Sequence, residues 1–152
     1  MSAKLRRRAF TLVEVLIVII IMAVLAAVII PQFSAAGEDA KLTAMRHTLH
    51  TIRSQIEKYR LEHKGRPPGA IDSRGLFQLL DKTNADGAVG SGPDFVYGPY
   101  LWNEFPANPL DSRRTVTATS DFPPPTPTSA GGWLYHAATG QIAPNVDGYL
   151  TD

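Results

Sequence analysis

The chain of 152 residues contains no cysteine. A disulfide framework and a thiolate metal site are both excluded, so stability must come from packing or from a bound ion. Acidic residues are missing before Glu14, and all of the twelve prolines and twelve glycines lie beyond residue 30. The C-terminal half is therefore expected to consist of turns and short strands around a small core. No nucleophile elbow, phosphate loop or HExxH motif occurs, and three of the four histidines, His47, His50 and His63, fall on one helical stretch. This composition argues against an enzyme.

Charge is distributed unevenly. Lys4, Arg6, Arg7 and Arg8 supply four of the fifteen basic residues. From Phe10 onward, eleven bases face fourteen acids, a formal charge of −3, which gives no basic patch for nucleic acid. After the basic cluster, only Thr11 and Glu14 are polar between Phe10 and Ile30, and Val15 to Ile30 is an unbroken run of sixteen apolar residues. At 1.5 Å per residue, the segment from Phe10 to Ile30 makes a helix of about 31 Å, which matches the hydrocarbon thickness of a bilayer. The preceding bases hold the N-terminus on the cytoplasmic side. A secretory signal peptide fits less well, because the run is long, Glu14 interrupts its start and no small-x-small site precedes Pro31.

Two readings of Glu14 stay open. Thr11-Leu12-Val13-Glu14 fits a capping box, with Thr11 as N-cap and Glu14 bonding back. The second follows from a resemblance. Arg6-Arg7-Arg8-Ala9-Phe10-Thr11-Leu12-Val13-Glu14, followed by an apolar helix that runs to Pro31, resembles the class III leader of type IV prepilins and type II secretion pseudopilins. The resemblance implies cleavage by a prepilin peptidase between Ala9 and Phe10, and methylation of the new Phe10 amine. It also implies an assembly role for Glu14, Phe10 and Pro31, in which Glu14 pairs with the Phe10 amine of a neighbouring subunit. A carboxylate in the hydrocarbon costs about 2.5 to 3.5 kcal/mol at the centre and less near an interface, so such a partner sets the stagger between subunits. The family has Gly before the cut, where this chain has Ala9.

Beyond Pro31, Leu42, Met45, Leu49, Ile52, Ile56 and Tyr59 recur at three-four spacing and define one face of a helix. Lys64-Gly65-Arg66-Pro67-Pro68 supplies the stop, with Gly65 as the C′ residue. Pro31 and Gly37 mark a kink between the two halves. His47 and His50 lie at i and i+3 without a third ligand and read as part of a solvated face. Ser73 to Leu80 reads as a short helix with Ser73 near its cap, and Asn84 to Gly87 as a turn. Thr115 to Thr119 is expected to be a strand, and Trp133-Leu134-Tyr135 with Gln141-Ile142-Ala143 a hairpin across Thr139-Gly140. Phe122 to Pro127 between them is a stiff surface loop.

The expected organisation is a basic leader (1–9), a transmembrane helix (10–30), its amphipathic continuation (31–64) and a small globular domain (65–152). The fold class is α+β and pilin-like: a long N-terminal helix packed on a small antiparallel sheet with a short helix and long loops. This layout is similar to the major pseudopilins of type II secretion. The resemblance implies a helical homo-oligomer, a prepilin peptidase, minor pseudopilins and an inner-membrane assembly platform as partners. It places the chain in the bacterial inner membrane as a single pass, with the C-terminal domain periplasmic. Calcium is common in a C-terminal loop of that branch. Asp111 and Asp121 are the nearest carboxylates here, although the family's Asp-Trp-Gly-Asn run is missing. The alternatives are a type IV pilin for adhesion, motility or DNA uptake, and a monomeric membrane-tethered domain.

Overall fold

The computed structural model describes residues 10–152; the leader, including Ala9, lies outside the described residues. Helix α1 spans Leu12–Glu62, and strands β1 (Val116–Ala118), β2 (Trp133–His136) and β3 (Gln141–Pro144) form one sheet. The chain divides into two compact units, Met1–Ala40 and Lys41–Asp152, with the boundary inside α1. In the first, Leu12–Ile29 is long and apolar enough to cross a membrane, and none of it is buried within the chain. Backbone helix continues through Pro31 and Gly37.

In the second unit, the three-four stripe of α1 becomes one side of the core. Met45, Leu49, Ile52, Ile56 and Tyr59 are buried together with Leu76, Leu79, Phe105, Trp133, Tyr135 and Ile142, while Leu42 packs at the margin. The stripe runs one step further than its apolar residues, because His63 is buried as well. His47 and His50 lie on the exposed side. At the C-terminal end of the helix, the Gly65 amide donates to the Arg60 carbonyl at 2.8 Å, closing a six-to-one bond. That geometry makes Lys64, at φ 57°, the left-handed C′ residue and moves Gly65 to C″, one position later than its composition suggests.

The sheet order is β1-β2-β3. The hairpin is present as expected, with β2 and β3 antiparallel and Tyr135 opposite Ile142. β1, however, pairs with β2 in parallel, Val116 opposite Trp133, so the sheet is mixed rather than wholly antiparallel. Parallel neighbours need a crossover of a dozen or more residues, and the proline-rich segment 119–132 supplies one. As the central strand, β2 buries Trp133, Leu134 and Tyr135 in succession. The polar ends of its aromatics are satisfied: Trp133 Nε1 donates to the Pro106 carbonyl at 2.9 Å and Tyr135 Oη to the Pro68 carbonyl at 2.6 Å.

The helix expected over 73–80 contracts to a single 3-10 turn, Phe77–Leu79, which has no side-chain cap, so Ser73 does not cap it. Asp72 and Gly75 instead exchange two backbone hydrogen bonds at 3.0 Å, and Gly75 adopts a φ of 93° that a helix cannot include. A Cβ there would press on Phe105 and Val116, so core packing holds this bend. Asn84 to Gly87 forms the expected turn, with Asn84 Oδ1 accepting from the amides of Asp86 and Ala88 at 3.0 Å.

Candidate functional site

At the start of α1, the capping box forms in full. The Thr11 amide donates to Glu14 Oε2 at 2.8 Å, the Thr11 hydroxyl donates to the same oxygen at 2.8 Å, and the Glu14 amide donates to Thr11 Oγ1 at 3.2 Å. An N-cap threonine and an N3 glutamate thereby satisfy two amides that a helix start leaves without partners. Glu14 Oε1 accepts no hydrogen bond from the described residues. Phe10, Val15, Val18 and the aliphatic part of Glu14 line one shallow apolar groove of about 330 Å³. The Phe10 side chain is 85% exposed. Pro31 lies further along α1.

The proposed calcium ligands are not brought together. Asp111 Oδ1 accepts from the Arg113 amide at 2.9 Å and Oδ2 from the Gly132 amide at 2.7 Å, so both oxygens clamp backbone. Asp121 lies in a different turn, capped by Thr119, whose hydroxyl donates to the Asp121 carbonyl at 3.0 Å and accepts from the Asp121 amide at 3.3 Å. Calcium takes six to eight oxygens, and no group of three His, Cys, Asp or Glu that could hold a metal occurs among the described residues. Asp111 and Asp121 therefore belong to no acidic cluster among the described residues.

Two features escaped the sequence reading. His63 sits among aromatics, stacked on Tyr59 with centroids 3.7 Å apart. Its Nδ1 donates to the Tyr59 carbonyl at 2.7 Å and its Nε2 meets Thr83 Oγ1 at 2.9 Å. Its position four residues after Tyr59 was the available signal. Beside it, the Tyr100 hydroxyl donates to Glu62, and burial followed by that contact pushes the phenol above its ordinary range. The second feature is Trp102, which stands in solvent on a loop with no periodicity to announce it.

Residues 4–30 match the family described as the prokaryotic N-terminal methylation motif. The chain thus carries a prepilin-like N-terminus, and the capping box with its exposed Phe10 lies within that match. One apolar N-terminal helix with such a motif fits a single-pass protein of the inner membrane. More particularly, the chain is similar to type II secretion system core protein G. It is 29% identical to that of Pseudomonas aeruginosa over 77 residues, 51% of this chain and 52% of the relative. Against that of Dickeya chrysanthemi it is 32% identical over 77 residues, 51% and 48%. Prepilin peptidase-dependent protein D of Escherichia coli is 40% identical over 60 residues, 40% and 41%. The chain spans about half the length of the curated relatives it matches first. No solved structure matches it.

Proposed function

We propose that this chain is a structural pseudopilin subunit rather than an enzyme. It is inserted by the apolar part of α1 with its N-terminus cytoplasmic and residues 41–152 periplasmic. A prepilin peptidase cuts between Ala9 and Phe10 and methylates the Phe10 amine. The product polymerises, with minor pseudopilins and an inner-membrane platform, into a short pseudopilus that serves type II secretion.

The observation that carries the reading is the Thr11–Glu14 box at the head of a membrane-length helix, inside the matched methylation motif. Within one chain, the box compensates Glu14 through Oε2. Among the described residues no donor bonds Oε1, and the cation that cleavage would create is the amine of Phe10. In an apolar filament core, an ion pair between the Phe10 amine of one subunit and Glu14 of the next favours a single stagger, because any other register strands a charge. Capping and register are then two uses of one carboxylate.

The test is the N-terminus and intact mass of the membrane-extracted protein, produced with and without a prepilin peptidase. A chain that starts at methylated Phe10 only when the peptidase is present is the expected result. A chain that still starts at Met1 beside an active peptidase would leave a plain anchor and overturn the proposal.

A further inference from the structure

In the unit Lys41–Asp152, the most exposed large apolar side chain among the described residues is Trp102, at 88%. The segment that carries it is anchored on both sides. Leu101, buried, donates its amide to the Leu79 carbonyl at 2.8 Å, and Phe105 lies in the core. Between them the Glu104 amide donates to the Trp102 carbonyl at 2.8 Å, which closes a three-residue turn around Asn103 at φ 66°. Turns of this kind are rare because a positive φ strains an L residue, and such strain clusters at binding and catalytic sites.

The same turn helps to line a pocket of about 240 Å³, with room for one sugar ring. Ser73, Arg74, Asn103, Glu104 and Arg114 supply its polar groups, and Phe105 belongs to its apolar lining. Its cations are compensated within the chain, Arg74 by Asp72 at 3.2 Å and Asp81 at 2.9 Å, and Arg114 by Glu104 at 2.6 Å. An anion therefore finds no unpaired cation there, and a cation no unpaired carboxylate. What stays open is capacity for hydrogen bonds. Among the described residues, no hydrogen bond engages Glu104 Oε2, the Asn103 side-chain amide or the Ser73 hydroxyl. Planar donors and acceptors beside an exposed indole match the two sides of a pyranose ring. Its hydroxyls pair with amide, carboxylate and guanidinium groups, and its face of axial C–H bonds lies on the electron-rich face of an aromatic ring.

We propose that this pocket binds a neutral carbohydrate, with one sugar ring held by Asn103, Glu104 and Arg114. Trp102 precedes Asn103 in the chain and stacks on the adjoining ring, so the ligand is an oligosaccharide rather than a single sugar. The site lies wholly in Lys41–Asp152, goes beyond the filament reading and stands without it.

The experiment uses the full chain in a zwitterionic detergent that contains no sugar. The chain has two tryptophans, and Trp133 is fully buried, so a ligand that covers the other shifts the emission of Trp102 alone. The probes are chitotetraose and cellotetraose, tetramers of N-acetylglucosamine and of glucose. A saturable blue shift at millimolar sugar is expected with at least one of them, together with saturation-transfer signals strongest on the axial ring protons. The tighter of the two assigns the source, an N-acetylated wall glycan or a plain glucan. Trp102→Ala, and Asn103→Gly, which keeps the positive φ, are each expected to weaken binding at least about fivefold by saturation transfer, while the thermal melt stays that of the wild type. No shift with either tetramer, or wild-type binding by Trp102→Ala, would overturn the site. Quenching of Trp102 by brominated phosphatidylcholine after reconstitution would assign the ring to a bilayer surface and overturn it as well.

Discussion

Tyr135 occupies the centre of the core, its hydroxyl donating to the Pro68 carbonyl, and burial raises its pKa. The folded chain therefore holds the phenol proton more tightly than the unfolded chain, whose value is near 10.0. Stability is complete below that value and declines as pH rises above it through the higher folded value. Melting temperatures taken from pH 8 to 11 should fall on the alkaline side, and Tyr135→Phe should flatten the fall while losing about 1 kcal/mol at neutral pH from the missing hydrogen bond. His63 is the other buried polar group that matters at this scale. His63→Ala removes a stacked ring and leaves Thr83 without its partner, so unfolding of the detergent-solubilised chain by denaturant should show a loss of about 2 to 4 kcal/mol. A loss below about 0.5 kcal/mol would mean that the site is plastic.

Among the elements, α1 does two jobs with two patterns. Its first part is apolar all round, which suits lipid or other helices, and from Leu42 onward it carries a single stripe, which suits one packed face. Ile52→Ala, at the centre of the stripe, should cost about 2 to 5 kcal/mol, whereas Arg46→Ala on the exposed side should change stability by less than about 1 kcal/mol. The parallel pairing of β1 depends on backbone approach at Gly132. That residue has φ 74°, and a Cβ would collide with the Thr115 backbone. Gly132→Ala should therefore cost at least about 2 kcal/mol and loosen the β1–β2 ladder, seen as faster amide exchange at Trp133, whose amide donates to Thr115. Protection unchanged from the wild type would show that the ladder does not rest on this glycine.

At the scale of the whole molecule, the proposed function predicts that Glu14 separates insertion from assembly. Glu14→Ala removes one carboxylate from an otherwise apolar segment, so the variant should enter the membrane and be cut as before, yet fail to polymerise. Filaments at wild-type yield would reduce Glu14 to its capping role. Calcium should not enter this balance: with Asp111 committed to two amides, addition of calcium or EDTA should leave the melting temperature of the chain unchanged. A calcium-dependent rise would point to backbone carbonyls as the ligands.

What the sequence determined by itself rested on a local period or a local partner. The apolar run, the Thr11–Glu14 box three residues apart, the stripe from Leu42 to Tyr59 and the hairpin across Thr139-Gly140 each rest on neighbours in the chain. What the tertiary structure decided depended on residues far apart. Gly75 bends because Phe105 and Val116 lie over it, which leaves only a turn where a helix had a good pattern. β1 joins β2 in parallel because a long proline-rich crossover lets it return on the same side, and strand composition carries no information on direction. Asp111 looked like a ligand, but Gly132, brought beside it by the strand pairing, uses its carboxylate as a clamp. Local hydrogen-bonding and hydrophobic periods are legible in order along the chain, whereas direction of pairing and burial of single side chains are set only when distant segments close on a common core.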